Sequence, residues 1–399
     1  MSAIHRKYRL SEIAEVLRGI SFGSSEGQDR PLENHLPVLR AGNIQDRLLV
    51  ETDLVWVPKS RVNVNQLIKQ HDIIMCTSSG SASLVGKCAR AESDWQGSFG
   101  AFCAGIRPNK VKCDPSYLHH FLRSSAFTNW STISSGANIK NIRKSELEEF
   151  EIPLPPLDEQ RRIATILDKT DAIRRKRQQS IRLTEEFLRS TFLDMFGDPV
   201  TNPKGLKTGM LGDYTDMETG YAFKSEYFQD AGIKLCRGAN VLPEEIDWSD
   251  VKYWSEDDQI AERYVLREGD VVLAMDRPWI SSGLKVARVS NSDIPSYLVQ
   301  RVARLRGIKG LTNEYIYFCI QHPSFTKHCK PKITETTIPH ISPLDIRSHR
   351  ILVPETGSIE QFSKIAVKTL HTELKLLRQV QKSDTLFNSL THRAFRGEL

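Results

Sequence analysis

The 399-residue sequence lacks any apolar run near the ~20 residues that a membrane-spanning helix requires, so we predict no such helix. Its first ten residues contain no apolar stretch, and we therefore expect no signal peptide. The seven cysteines are odd in number and form no C-x-x-C pair, which favours reduced thiols over disulfides or a zinc site. The net charge is +6, yet there is no polybasic tail. If the chain binds nucleic acid, folding must therefore gather its basic side chains on one face.

Complete enzyme motifs are also missing. Residues 114–117 (Asp-Pro-Ser-Tyr) are similar to the D-P-P-Y motif of adenine-N6 methyltransferases, but Ser116 replaces a proline and no glycine-rich nucleotide loop accompanies them. We interpret this string as the start of a helix. Residues 80–88 resemble a phosphate loop, but the spacing is one residue too long and Cys88 lacks the hydroxyl that would bind magnesium. The adjacent His119 and His120 would point about 100° apart on a helix, without companion metal ligands. These absences favour a binding protein over an enzyme.

The main positive signal is an internal duplication with an offset of about 198 residues. Matching segments recur in the same order in both halves, and their offsets drift slowly from 197 to 201. The alternative, chance similarity among short apolar strings, explains this collinear order poorly. The paired segments are 36–44 with 233–241, 69–75 with 267–273, 114–118 with 312–316, 151–155 with 350–354, and 159–160 with 360–361.

Each half ends in a long, proline-free segment with helical periodicity, at residues 158–196 and 358–395. Gly197 and Gly397 follow these segments as stop signals. A helix of about 38 residues is ~57 Å long and cannot bury its own apolar stripe. We therefore predict that the two helices pair as an antiparallel coiled coil. The alternative is two unrelated surface helices on separate cores.

These patterns predict an α+β fold with a pseudo-two-fold internal duplication. Two similar mixed α/β domains would occupy residues 1–157 and 201–356. Two long antiparallel helices, at residues 158–200 and 357–399, would separate them as a coiled coil.

The string from Ile152 to Gln160 resembles the start of the central conserved helix in Type I restriction-modification specificity subunits. Residues 40–43 and 237–240 resemble an element inside the target recognition domains of that family, and a similar strand begins at Asp72 and Asp270. The second copy of the proline-glutamine string departs from the pattern, because residues 354–361 keep one proline and the Glu-Gln pair. The likeness nevertheless covers essentially the whole chain.

The resemblance implies a non-catalytic subunit whose partners have adenine-N6 DNA methyltransferase and ATP-dependent endonuclease activities. The implied partners are double-stranded DNA, two methyltransferase subunits and two motor-endonuclease subunits in a prokaryotic cytoplasm. No cofactor is expected on this chain, while the partners would use S-adenosylmethionine, ATP and Mg. Because the two domains differ in sequence, we expect an asymmetric target of two half-sites separated by about six to eight unread base pairs. The alternatives are a related system with a fused nuclease and a standalone duplicated DNA-binding regulator.

Three polar loops in each half supply side chains of the kinds that read bases or hold phosphates. The first loop is the 40–43 turn or its copy at 237–240, the second follows the Asp72 or Asp270 strand, and the third precedes the long helix. The alternative for any one residue is a solvated loop position, and recurrence in both halves favours a structural role for Arg40 and Arg237. The predicted DNA contacts are Arg40, Asn43, Ser78, Ser79, Ser81, Lys87, Asn138, Lys140, Asn141, Arg237, Asn240, Arg277, Trp279, Ser281, Lys285, Lys332, Thr334, Thr336, Thr337 and His340.

A basic run on the first long helix provides candidates for docking a partner subunit, namely Arg174, Arg175 and Arg177. Adjacent residues wrap around a helix, so they cannot all face one partner. The alternative is a solvated helical face.

Overall fold

The computed structural model describes residues 5–81, 84–134, 140–332 and 339–399. The chain divides into two compact units, in which residues 1–178 and 378–399 form unit 1 and residues 179–377 form unit 2. Each long helix therefore contributes one half to each unit, whereas the sequence-based division assigns each helix to a segment of its own.

Unit 1 contains a four-stranded antiparallel sheet of order β2-β9-β5-β7 and a three-stranded sheet of order β4-β3-β8. Two ribbons, β1-β11 and β6-β10, complete its described strands. The strands are β1 (Lys7–Arg9), β2 (Ala14–Arg18), β3 (His35–Leu39), β4 (Val55–Pro58), β5 (Ile73–Cys76), β6 (Ser78–Ser79), β7 (Cys88–Arg90), β8 (Ser98–Phe99), β9 (Cys103–Pro108), β10 (Lys140–Asn141) and β11 (Glu151–Pro153). The helices are α1 (Leu10–Ile13), α2 (Pro115–Leu122), α3 (Ser125–Ser134), α4 (Lys144–Glu149), the first half of α5 (Leu157–Phe196) and the second half of α9 (Thr356–Phe395).

Unit 2 repeats the two sheets of this plan, with orders β13-β21-β16-β19 and β15-β14-β20, and its ribbon β12-β22 corresponds to β1-β11. Its ribbon β17-β18 is a local hairpin, and the counterpart of β6-β10 is an isolated bridge between Asp276 and His340. Its strands are β12 (Lys207–Met210), β13 (Thr215–Thr219), β14 (Ile233–Cys236), β15 (Tyr253–Trp254), β16 (Val271–Ala274), β17 (Trp279–Ile280), β18 (Gly283–Leu284), β19 (Val286–Arg288), β20 (Ser296–Leu298), β21 (Val302–Gly307) and β22 (Arg350–Val353). Its helices are α6 (Asn313–Gln321), α7 (Pro323–Cys329), α8 (Pro343–Arg347), the second half of α5 and the first half of α9. The shared strand order confirms the duplicated α+β fold.

The four-stranded sheets are the main sheets of the two units. In each of them the inner strand β5 or β16, called the central strand below, is buried on both faces. In β5, Ile73 and Met75 join one hydrophobic core, whereas Ile74 and Cys76 join another on the opposite face. The strand β16 divides its residues between two cores in the same way. Burial on both faces explains why these strands read as continuous apolar runs rather than as alternating ones.

A buried ion pair is repeated at the start of the two central strands. Arg107 donates to both carboxylate oxygens of Asp72, at 2.9 and 2.7 Å, and Arg306 does the same to Asp270, at 2.6 and 2.8 Å. Both aspartates are at most 2% exposed. The repeated aspartates of the sequence therefore fasten neighbouring strands of the main sheets.

The string at residues 114–117 is a helix start, as predicted. The side chain of Asp114 accepts a hydrogen bond from the backbone of Tyr117, and Thr312 caps α6 in the same way. The Tyr117 hydroxyl donates to Pro153 O at 2.7 Å, while that of Tyr315 donates to Leu352 O at 3.0 Å. The tyrosine of each copy thus joins a short helix to the strand that precedes a long helix.

The long helices α5 and α9 pair in antiparallel fashion within each unit, as predicted. In unit 1, Arg177 contacts Gln379 O and the Ser383 hydroxyl. In unit 2, Phe192 and Phe196 pack edge-on against Phe362. Part of each apolar stripe also packs on the adjoining domain, because Phe192 and Phe196 contact Tyr315. None of the helices within the described residues is long and apolar enough to cross a bilayer.

The match between Glu159-Gln160 and Glu360-Gln361 does not hold in three dimensions. Gln160 is 1% exposed and accepts a hydrogen bond from Asp114 N, whereas Gln361 is exposed. The buried residue at the matching place in α9 is Ile359, and the burial pattern gives an offset of 199 rather than 201. The sequence match is therefore displaced by two residues from the structural equivalence.

Candidate nucleic-acid interface

The first predicted loop is a tight turn that is built identically in the two units. The Arg40 guanidinium lies 2.6 Å from an Asp53 carboxylate oxygen, and that of Arg237 lies 2.8 Å from Asp250. In both pairs the carboxylate is more than 60% exposed. The recurring arginines thus brace the turn, in keeping with the structural role that their recurrence favoured.

Asn43 and Asn240, predicted as base-reading residues, are only 1% and 2% exposed. The Asn43 carbonyl oxygen accepts from Arg40 N, while its amide group donates to Leu49 O and Thr52 O. Asn240 bonds its own loop in the same way. Since their polar edges are already used, we correct the prediction for these two residues and assign them to loop closure.

Lys87 and Lys285 connect the second loop to the first. Lys87 donates to the side chain of Gln45 at 2.6 Å, and Lys285 donates to Gly238 O. Lys285 is 7% exposed, and burial together with the nearby Arg277 charge lowers its pKa. Both lysines hold loops together in this structure, since each donates to a group of the first loop.

The second and third loops meet in unit 1. Ser78 and Ser79 in β6 pair antiparallel with Asn141 and Lys140 in β10. Ile142 N also donates to Thr77 O at 2.8 Å, and the side chain of Asn141 is exposed. Ser81 lies at the exposed end of the same loop, where its backbone nitrogen donates to the Ser79 hydroxyl. Chain segments some 60 residues apart thereby form one polar surface.

The same two loops meet in unit 2 with different chemistry. Arg277 N donates to Pro339 O at 2.8 Å, and His340 Nδ1 lies 2.6 Å from an Asp276 carboxylate oxygen. The other oxygen of Asp276 lies 3.8 Å from Arg301 Nε. Arg277 itself is exposed and has a φ of 44°, a left-handed conformation that is rare for residues other than glycine. Asp276 thus joins three separate segments beside an exposed arginine.

The remaining predicted residues of unit 2 differ in whether they are exposed or have partners within the unit. Ser281 is exposed at the tip of the β17–β18 hairpin, whereas Trp279 donates from its indole nitrogen to the Thr326 hydroxyl at 3.2 Å. Lys332 contacts His328 and lies 3.7 Å from Asp345. Trp279 and Lys332 therefore have partners within the unit. The predicted contacts Asn138, Thr334, Thr336 and Thr337 lie outside the described residues.

The arginines predicted to dock a partner subunit mostly face inward. Arg174 lies 2.8 Å from Asp171 and covers the ring of Phe387, and Arg177 bonds the partner helix as described above. Arg175 pairs with Asp171 at 3.1 Å but stays 43% exposed. We therefore correct the docking prediction for Arg174 and Arg177, since they stabilise helix pairing in unit 1.

Two exposed residues beside the second loop were not among the predicted contacts. Phe102 follows β8 in unit 1, and Arg301 follows β20 in unit 2, at an offset of 199. A stricter alignment of the two halves would have paired these positions and revealed that their chemistry differs.

The residues that suggested other chemistry are buried structural groups. His120 Nε2 lies 2.8 Å from Asp168 Oδ1, and Ser116 donates to the other oxygen of that carboxylate. Because both partners bond the aspartate, His120 does not lie between Ser116 and this carboxylate, as it would have to in order to activate a serine nucleophile. The seven cysteines are free and buried, and burial raises the pKa of all seven, in the case of Cys88 to about 12.

The duplicated α+β fold, with a polar loop cluster in each unit, indicates an internally repeated protein of the recognition class. Comparison with known proteins shows which members of this class the chain is similar to. Residues 6–184 match the family described as the Type I restriction modification DNA specificity domain. The chain is 28% identical over 415 residues to the Type I restriction enzyme EcoKI specificity subunit of Escherichia coli K12, covering 98% of this chain and 88% of that protein.

The StySPI specificity subunit of Salmonella potsdam is 27% identical over 98% of this chain and 88% of its own length. The fold is similar to that of the S subunit from M. genitalium, with a TM-score of 0.61 at 14% identity over 98% of this chain and 95% of that one. The chain is thus similar over nearly its whole length to Type I restriction enzyme specificity subunits, and its residues 6–184 match the DNA specificity domain of that family.

Proposed function

We propose that this chain is the DNA sequence recognition subunit of a Type I restriction-modification complex. One observation carries the proposal: the second and third loops, distant in sequence, meet as a polar surface in both units, through β6–β10 in one and through Asp276–His340 in the other. Base edges are read by such closely spaced donors and acceptors. A duplicated reader of this kind has one surface for each half of a two-part target.

The target is asymmetric, because the two surfaces differ in chemistry. Unit 1 presents Ser78, Ser79 and Asn141, whereas unit 2 presents Arg277, Ser281 and the Asp276–His340 pair. Neutral amides and hydroxyls suit adenine and phosphate, while arginine suits guanine. We expect two different half-sites separated by about six to eight base pairs that the chain does not read.

Catalysis then falls to partner subunits. Two methyltransferase subunits and two motor-endonuclease subunits would use S-adenosylmethionine, ATP and Mg, with this chain providing the target specificity and no cofactor of its own. The complex would act in a prokaryotic cytoplasm.

The docking surface for a methyltransferase subunit is better assigned to exposed apolar residues on the helices than to the arginines. Within unit 2, Leu183 and Phe187 on α5 are 54% and 52% exposed, and Val367 and Leu374 on α9 are 51% and 46% exposed. Several large exposed apolar residues on two paired helices are typical of a protein interface. Phe187→Ala is expected to weaken co-purification of the methyltransferase subunit without lowering the melting temperature. The control Phe102→Ala removes a ring outside the helices that is 68% exposed, and equal co-purification of the two variants would contradict this assignment.

Mapping the methylated adenines in a methylation-free host that expresses the whole system tests the proposed function. We expect a single motif with two different half-sites and a fixed gap. A continuous motif, or methylation without sequence preference, would contradict the proposal. The same data report the gap length to the base pair.

A further inference from the structure

A turn between two strands places an exposed, chemically distinct side chain at the same position in each unit. Phe102 immediately precedes β9 and is 68% exposed, whereas Arg301 immediately precedes β21 and its side chain is 58% exposed. An exposed phenylalanine ring forgoes the stabilisation that burial of its apolar surface would yield. Neither residue is needed in the hydrophobic core of its unit.

Backbone hydrogen bonds hold both turns against the second loop. Phe102 O accepts from Thr77 N at 2.9 Å, from the Thr77 hydroxyl at 3.1 Å and from Ser78 N at 3.1 Å. Arg301 O accepts from Met275 N at 2.8 Å. Each side chain is therefore presented at a fixed place beside the polar loop surface of its unit.

Arg301 also adopts an unfavourable backbone conformation, with a φ of 67°. This left-handed region is unfavourable for residues other than glycine, and residues held in it concentrate at binding sites. The exposed Arg277, only one residue from Asp276, shares this feature. Two strained arginines thus border one loop surface.

The charges around the turn suit a polyanion in both units. In unit 1, a groove of about 700 Å³ runs beside Ala101 and Cys103 and is lined by Arg18, Arg143 and Lys144. Lys144 is paired with Glu148 at 3.4 Å, while Arg18 and Arg143 are exposed. At the positions of Arg18 and Arg143 in unit 2 stand Thr219 and Ser342. The exposed positive charges near the turn of unit 2 are those of Arg277 and of Arg301, whose Nε lies 3.8 Å from the Asp276 carboxylate.

We propose that this turn contacts the DNA half-site bound by its unit, with Phe102 making an apolar base contact in one half-site and Arg301 a hydrogen-bonded contact in the other. The inference rests on the proposed DNA recognition and assigns two residues to it. A phenylalanine ring can pack on a thymine methyl group or enter an opened base step. An arginine can donate to the two acceptors of guanine. The flanking arginines of the unit 1 groove would hold the adjacent phosphates.

Selection from a library of random DNA duplexes by the purified full-length chain tests this proposal. Phe102→Ala is expected to lose roughly tenfold preference at one position of one half-site, and Arg301→Ala to lose a similar preference in the other half-site. The matched controls are Val111→Ala and Lys309→Ala. Val111 is 84% exposed beyond the opposite end of β9, and Lys309 lies beyond the opposite end of β21 with a φ of 52°. Both controls should select the wild-type motif.

Three results would overturn the assignment: an unchanged motif for Phe102→Ala and Arg301→Ala, a loss equal to that of the controls, or changes confined to the same half-site. If an alanine variant unfolds, Phe102→Leu or Arg301→Lys takes its place. Each of these variants keeps part of the contact, so it should lose preference at the same position but by less than the roughly tenfold expected for alanine. A wild-type chain that selects no sequence at all would instead refute the proposed function, and the turn assignment with it. Wild-type selection with unaffected variants would refute the turn assignment alone.

Discussion

Asp72→Asn tests how much the buried ion pair between Asp72 and Arg107 stabilises the four-stranded sheet of unit 1. The carboxylate is 2% exposed and accepts from Arg107 Nε, Arg107 Nη2 and Lys69 N, at 2.9, 2.7 and 2.9 Å. An asparagine turns an NH₂ group toward the guanidinium and removes the charge. Removing one partner of a buried ion pair costs about 3–5 kcal/mol. Because the Arg107 side chain is 19% exposed and can recover some hydration, we expect the lower end, about 3 kcal/mol.

Amide hydrogen exchange is the suitable assay, because a protein with two units need not unfold in a single step. A loss of 3 kcal/mol corresponds to roughly 100-fold faster exchange for the slowest amides of β5 and β9. The equivalent variant Asp270→Asn should accelerate β16 and β21 instead, so each variant is the control for the other unit.

A second control separates burial from the mere presence of an ion pair. The Arg40–Asp53 pair is just as short, at 2.6 Å, but its side chains are 49% and 72% exposed. Asp53→Asn should change exchange little, because exposed pairs contribute little to stability. Equal acceleration by Asp72→Asn and Asp53→Asn would refute the reasoning from burial.

Two further predictions concern a titrating group and a rejected catalytic motif. Burial and the Glu185 and Glu244 carboxylates raise the pKa of Glu373 to about 7 from its ordinary 4.5. The folded state then binds this proton more tightly, so the stability of unit 2 should fall as the pH rises from 4.5 to about 7. Glu373→Gln should remove that fall and stabilise the protein at pH 8, as measured by urea unfolding, and an unchanged pH dependence would contradict the assignment. Tyr117→Phe deletes the hydrogen bond to Pro153 O and should cost about 1 kcal/mol in thermal unfolding while leaving methylation by the complete system intact. Abolished methylation with retained DNA binding would instead revive an enzymatic role for residues 114–117.

Much of the architecture follows from the order of residues alone. The duplication was visible as collinear matches, and the long helices as proline-free runs of apolar residues three and four apart. Their pairing follows because a single amphipathic helix cannot bury its stripe. The helix start at Asp114 was also predictable, since a side chain that caps a helix acts within its own turn.

The candidate site was harder to predict from the sequence, because the type of a residue does not reveal whether its polar atoms already have hydrogen-bond partners in the fold. Asn43 and Lys87 have the chemistry of DNA contacts, yet the fold uses both to close loops. Conversely, Phe102 has no polar group that would mark it as a contact, and its exposure becomes evident only in the folded chain.

By itself, the sequence determined the fold class, the internal repeat and the two long helices, because these depend on periodicity and on interactions between neighbours in the chain. Only the tertiary structure decided which loop residues are free, which arginines face the partner helix and how the two halves correspond residue by residue. Those properties depend on contacts such as Arg177 with Ser383 and Asp276 with His340, which join segments far apart in the chain. Local sequence patterns do not predict such contacts, because the packing of the sheets and helices determines them.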